Sequence, residues 1–172
     1  MSLLLFAAGV GGCSRTPDAE PAVATPSVSL ARADAAIGTP LEMSFQFVVA
    51  PNAPALTEDY WVFVHFLDAD GELMWTDDHQ PPVPTREWKP GQMVTYPRTL
   101  FVPKFPYVGS THVDVGLFSP KTGPRLPMTG TTTGQRAYTV ATFNLHRQTD
   151  DLYVIFKDGT DIYWARSRTL EY

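Results

Sequence analysis

Only one cysteine, Cys13, occurs in 172 residues, which excludes an internal disulfide framework. Long hydrophobic runs are missing as well. The most apolar stretch, Leu3 to Gly12, falls well short of the ~20 residues that span a bilayer. Charge is sparse: 13 basic residues against 18 acidic ones leave a net charge of −5. The basic residues are scattered rather than clustered, so there is no cationic stripe to suit nucleic acid. Several catalytic signatures are also missing, among them GxSxG, a phosphate-binding glycine loop, HExxH and CxxC. No window has a convincing helical period, and no internal repeat or second domain is evident.

Proline and glycine are plentiful, 16 and 12, and most fall between short apolar segments. From Ser27 onward the hydrophobic pattern has period two, the signature of half-buried strands. The strands expected are "SVSLAR", "LEMSFQFVV", "DYWVFVHFLD", "ELMWTDD", "QMVTYPRTLFV", "STHVDVGLFS", "AYTVATFNL", "LYVIFKDG" and "DIYWAR". In the second, Leu41, Met43, Phe45, Phe47 and Val49 share one face. Pro97 assigns its strand to a sheet edge or a bulge. About nine strands with turn punctuation and no covering helix predict an all-β fold, an immunoglobulin-like antiparallel β-sandwich of 7–9 strands over residues 27–172.

At the N-terminus, Val10-Gly11-Gly12-Cys13 ends an apolar run and precedes polar "SRTPDAEP". It resembles the lipobox of bacterial lipoproteins, although no Lys or Arg precedes it. The resemblance implies a signal peptide over 1–12, lipidation of Cys13, and membrane anchoring on the outer side of a bacterial envelope membrane. Residues 13–26 then read as a Pro- and Ala-rich tether reaching roughly 40 Å in an extended state. The alternative is a buried N-terminal strand with a free core thiol.

The stretches "WVFVHFLDADGELMWTDDHQPP", "EWKPGQ" and "VGLFSPKTGPRLP" resemble an extracytoplasmic Ig-like domain that recurs in bacterial envelope proteins. Some relatives of that domain follow glycosyltransferase-like membrane proteins, and others are free-standing lipoproteins. The resemblance implies fold and location, with no activity attached.

Two groups of residues could carry function. In "WVFVHFL", Val62, Val64 and Phe66 point one way and Trp61, Phe63 and His65 the other. If this strand pairs with "HVDVG", then His112 and Asp114 join that second face. Aromatic rings beside imidazole and carboxylate would suit a glycan platform. The opposing reading covers the face with a later strand or loop and leaves His65 as a core histidine. The other group is Asp77-Asp78-His79. It reads as a polar knot pinning the Pro81-Pro82 loop, as a divalent-metal site completed by His65 or His112, or as a catalytic cluster. The Asp68-Ala69-Asp70-Gly71 segment reads as a hairpin turn, and Trp88 as a cap on one end of the sandwich. Taken together the residues favour a non-catalytic binding or scaffolding lipoprotein without a cofactor, its partner a glycan or an envelope protein. A metal-dependent hydrolase or metal-binding protein is the alternative.

Overall fold

The computed structural model describes residues 20–147 and, as backbone, the strands over 152–158 and 161–167. The expected signal peptide, Cys13 and the first half of the expected tether, through residue 19, lie outside the described residues. The described chain is all-β, with a single 3-10 turn at Thr85–Glu87 and no α-helix among the described residues. Eleven strands form among the described residues: β1 (Ala24–Leu30), β2 (Asp34–Ala36), β3 (Pro40–Val49), β4 (Trp61–Leu67), β5 (Leu73–Thr76), β6 (Met93–Phe101), β7 (Gly109–Phe118), β8 (Thr132–Gly134), β9 (Ala137–His146), β10 (Leu152–Asp158) and β11 (Asp161–Ser167).

Two sheets pack on one another. One has the order β1-β3-β6; the other runs β2-β9-β7-β4-β5, with β8 added beside β9. Pairing is antiparallel except for β2, which runs parallel to β9. Strands β10 and β11 pair with each other as a hairpin. The first part of the chain serves both sheets, since β1 borders β3 and, after a short bend, β2 borders β9.

The core follows the period-two pattern. Leu41, Met43, Phe45, Phe47 and Val49 of β3 are buried, and they face Val62, Val64 and Phe66 of β4 and Val113, Val115 and Leu117 of β7. Full burial of each such side chain contributes about 1.5–3 kcal/mol. Trp88 closes one end as expected, its ring 5.2 Å from that of Phe47 and its indole N–H donating to Val83 O at 3.0 Å. Pro97 does sit on an edge strand, because β6 is the outermost strand of its sheet.

The nine expected strands all form, with two differences. The first strand begins at Ala24, and Val23 is already buried, so the sandwich starts before Ser27. Val23 and Ala24 supply apolar side chains, and Pro26 is tolerated because β1 is an edge strand with no ladder partner on its outer side. The other difference is that β2 and β8 are additional strands of three residues each, with sequences DAA and TTG.

Candidate functional site

Strand β4 lies inside its sheet, between β7 and β5, and Phe63 on its outer face is buried, as are Val62, Val64 and Phe66 on its inner one. Its pairing with β7 aligns Trp61 with Phe118, Phe63 with Gly116, His65 with Asp114, and Leu67 with His112. The expected juxtaposition of His65, His112 and Asp114 on the outer face is therefore formed at the level of the backbone. The side chains, however, do not make one open platform.

Phe63 is only 2% exposed although it faces outward. Its ring lies against the backbone of Gly116, where a Cβ would stand 2.1 Å from the ring edge. The Arg125 guanidinium covers the ring at 4.1 Å from its centroid. Asp114 is buried too, under β8: Thr139 Oγ1 donates to Oδ1 at 2.7 Å, and the Thr133 hydroxyl donates to Oδ2. Among the described residues this carboxylate has no ion-pair partner. His112 turns toward β9, its Nδ1 3.3 Å from Thr142 Oγ1. Trp61 stays open to solvent at 37% and meets Phe118 edge-on. The expected face is thus partly covered, by the later loop and short strand between β7 and β9.

What remains open is a cleft of about 390 Å³ whose walls include His65, Leu67, Asp114, Arg125, Thr133 and Gln135. The His65 ring lies 4.7 Å from that of Phe63 and makes no hydrogen bond among the described residues. Burial pushes its pKa below the ordinary histidine value; Arg125 pushes the same way, while Asp78 and Asp114 pull it back. The imidazole is therefore neutral at pH 7, with a nitrogen free to bind.

One wall of this cleft is strained. The β8–β9 hairpin turns through Gln135 and Arg136 at φ 48° and 57°, in the left-handed region that costs non-glycine residues roughly 1–2 kcal/mol each. The turn brings Gln135 O to accept from Arg125 Nη1 at 3.0 Å, and Arg136 to donate to Arg125 O and to Glu20. These contacts fix Arg125 over Phe63. Arg125, Thr133 and Gln135 escaped sequence reasoning: "PKTGPR" carries only a turn signal, and "TGTTTG" is too short and polar to show a strand period.

The Asp77-Asp78-His79 cluster is arranged differently. The pairing of β5 with β4 persists past Thr76, because Val62 and His79 exchange both backbone hydrogen bonds, at 2.8 and 2.9 Å. Strand parity survives with it. Asp77 and His79 face inward and Asp78 outward. Asp77 N donates to Val64 O, but Val64 N donates to Asp78 Oδ1 at 3.1 Å instead of to Asp77 O. The freed Asp77 O accepts from His79 Nδ1 at 2.8 Å, which fixes the tautomer, and Nε2 then accepts from the Tyr96 hydroxyl at 2.8 Å. Arg98 clamps the Asp77 carboxylate with two donors, one Nη2 to Oδ1 at 2.8 Å and the other from Nε. That bond to Asp77 is the main reason the Arg98 pKa is raised.

His79 is buried, with Phe45 packed edge-on 5.2 Å away. Burial depresses its pKa, partly offset by the bond to Asp77 O. Burial likewise raises that of Tyr96. Tyr96 and Arg98 belong to β6, so the cluster ties the edge of one sheet to the edge of the other. Its three side chains point to three different partners and do not converge with His65 or His112. Among the described residues no group of three His, Cys, Asp or Glu side chains is placed to hold a metal ion. The Asp68 turn is a closed hairpin connection, with Asp68 Oδ1 accepting from the backbone N–H groups of Asp70 and Glu72, both at 2.9 Å.

No family model matches the chain. A putative cation efflux system protein, SilA of Salmonella typhimurium, is 81% identical over 21 residues, which is 12% of this chain and 2% of that protein. Among solved structures, the Pseudomonas fluorescens alkylpurine DNA glycosylase AlkC, bound to DNA containing an abasic site analog, aligns with a TM-score of 0.42 at 16% identity. That alignment covers 72% of this chain and 30% of the glycosylase. The chain thus spans only a small part of these two proteins, and neither likeness identifies a family.

Proposed function

We propose that the chain is a non-catalytic binding domain of the bacterial cell envelope, held to a membrane by lipid on Cys13. Its ligand-bearing surface is the outer face of the six-stranded sheet, and its ligand a glycan. The observation that carries this reading is the cleft beside Phe63: a neutral imidazole without a hydrogen-bond partner among the described residues stands next to an anchored guanidinium, in line with the exposed Trp61 ring. Apolar ring faces beside a few convergent polar groups are what binding of sugars and other small polar ligands requires.

The strand order supports an immunoglobulin-like assignment. β9-β7-β4-β5 and β1-β3-β6 correspond to the G-F-C-C′ and A-B-E arrangement of that sandwich. The experiment is a glycan array probed with the labelled chain and with its Trp61→Ala variant. Saccharide spots that bind the parent and fade in the variant are the expected result; binding to none of them would sink the reading. Lipid attachment is tested separately by fatty-acid labelling in a bacterial host, which Cys13→Ser should abolish.

A further inference from the structure

Building on the glycan reading, we infer that the His65–Arg125 cleft is a subsite for an acidic sugar, whose carboxylate docks on the free edge of the Arg125 fork.

The first reason is the state of Arg125. Its planar group lies over the Phe63 ring, and one Nη1 donor is spent on Gln135 O. A guanidinium has five N–H donors in a rigid fork. Stacking occupies the face of the group and leaves the in-plane donors, the arrangement that matches two carboxylate oxygens. A neutral hydroxyl would engage only part of that edge.

The second reason is that the arginine is anchored. The two-residue turn that closes β8 onto β9 runs through left-handed Gln135 and Arg136; it presents Gln135 O to the Arg125 guanidinium and lets Arg136 donate to Arg125 O. A guanidinium held in place at both ends before any ligand arrives loses little freedom on binding one.

The third reason is charge. Asp114, the acidic group on the cleft floor, is capped by the Thr133 and Thr139 hydroxyls, so it has little reach toward a ligand anion. His65 faces three charged groups, Asp78, Arg125 and Asp114. A bound carboxylate would neutralise Arg125 and favour the imidazolium, so affinity should rise as pH falls toward 6.

The cleft is small, near the low end of the roughly 300–1,000 Å³ typical of ligand sites, and it is open. Trp61 lies four residues along β4, roughly 13 Å away at about 3.3 Å per residue. Its exposed ring can stack a neighbouring sugar of the same chain.

The test titrates the full chain with digalacturonic acid, its dimethyl ester and cellobiose, and with acetate and inorganic phosphate. Calorimetry gives the affinities, and the histidine ring protons are followed by NMR. The His65 signal is identified by its loss in His65→Gln. We expect the diacid to bind about tenfold tighter than the ester near pH 6, the scale of one charge-assisted contact. Arg125→Gln should erase the difference, Arg125→Lys should restore only part of it, and the His65 midpoint should move up when the diacid binds.

Equal binding of ester and diacid by the parent chain, with loss only in Trp61→Ala, would overturn the acidic-sugar inference and leave the glycan reading intact. Acetate or phosphate binding as tightly as the diacid would also overturn it, in favour of a site for free oxyanions. No binding of any saccharide would overturn both. The parent chain's own preference between acid and ester decides the matter even if a variant folds poorly.

Discussion

Two polar clusters flank strand β4, and they are built from the same residue types to opposite ends. The Asp77-Asp78-His79 knot, with Asp77 and His79 on the inner side, has each side chain committed: His79 through both ring nitrogens, Asp77 through the Arg98 fork, and Asp78 through the Val64 amide. On the outer side, His65 has no protein partner among the described residues, and Arg125 keeps donors to spare. Saturation marks a group whose work is to hold the fold, because a buried polar atom costs free energy unless it is paired. Leftover capacity next to a cavity marks a group that can meet a ligand. The histidine that looks most functional in the sequence, beside two aspartates, is the structural one.

The comparison breaks first at the knot. His79→Ala removes a buried ring, the contact with Phe45 and the bridge to Tyr96, and leaves Asp77 O and the Tyr96 hydroxyl without partners. A loss of about 3 kcal/mol is expected from cavity and unpaired polar groups together. Urea unfolding of the full chain measures it, and a loss below about 1 kcal/mol would mean the knot is ornamental. Gly116→Ala is the next largest. The new methyl would sit inside the Phe63 ring, so the ring must leave its slot, at about 2 kcal/mol of overpacking. A variant as stable as the parent would show that Phe63 swings out freely and that Arg125 does not hold it.

These sites differ in how far the sequence reveals them. Strand periodicity located all nine longer strands and separated inward from outward residues by parity alone. The pairing of "WVFVHFL" with "HVDVG" is not encoded in that period; it is a condition set by the expected sandwich, and the structure forms it. At Asp77, Asp78 and His79 the misleading signal was the neighbouring prolines, not parity. The prolines at 81 and 82 suggest that the strand has ended, yet the ladder with β4 runs on to His79. The Asp78 carboxylate stands in for a backbone carbonyl, a substitution no propensity encodes. Arg125 was invisible for another reason. It lies seven residues beyond the end of β7, and only the left-handed turn at Gln135 and Arg136, built without glycine or asparagine, brings its anchor to it. Long-range polar contacts made by turns leave no periodic trace.

Acidification sharpens the contrast by a smaller amount. Both His79 and His65 have folded-state pKa values below the ordinary value near 6.5, chiefly through burial. The unfolded chain therefore binds more protons than the folded one as pH drops through that value. The contribution of both groups to stability is full above about pH 7 and is lost as pH falls toward 5. Thermal melts across that window should show a falling midpoint. His79→Gln should flatten the profile more than His65→Gln, since His79 is sealed and His65 opens to a cleft. The reverse order would mean that His65 is the more strongly desolvated group in solution.

The smallest expected effect discriminates best between the two clusters. Arg125→Gln and His65→Gln alter side chains that border solvent and have few or no protein partners, and such changes stay within about 0.5 kcal/mol of the parent. Arg125 does cover Phe63 and bond to Gln135 O, so its replacement loses a cation–π contact worth about 0.5–1 kcal/mol at an exposed site. The left-handed turn at Gln135 and Arg136 closes the β8–β9 hairpin whichever residue stands at 125, so its strain is unchanged. The net change should be a loss below about 1 kcal/mol for Arg125→Gln, read from the urea midpoint. A side chain anchored beside a cleft at so little benefit to stability is suited to binding; a loss as large as that of His79→Ala would instead make Arg125 a second structural clamp and remove the distinction between the two clusters.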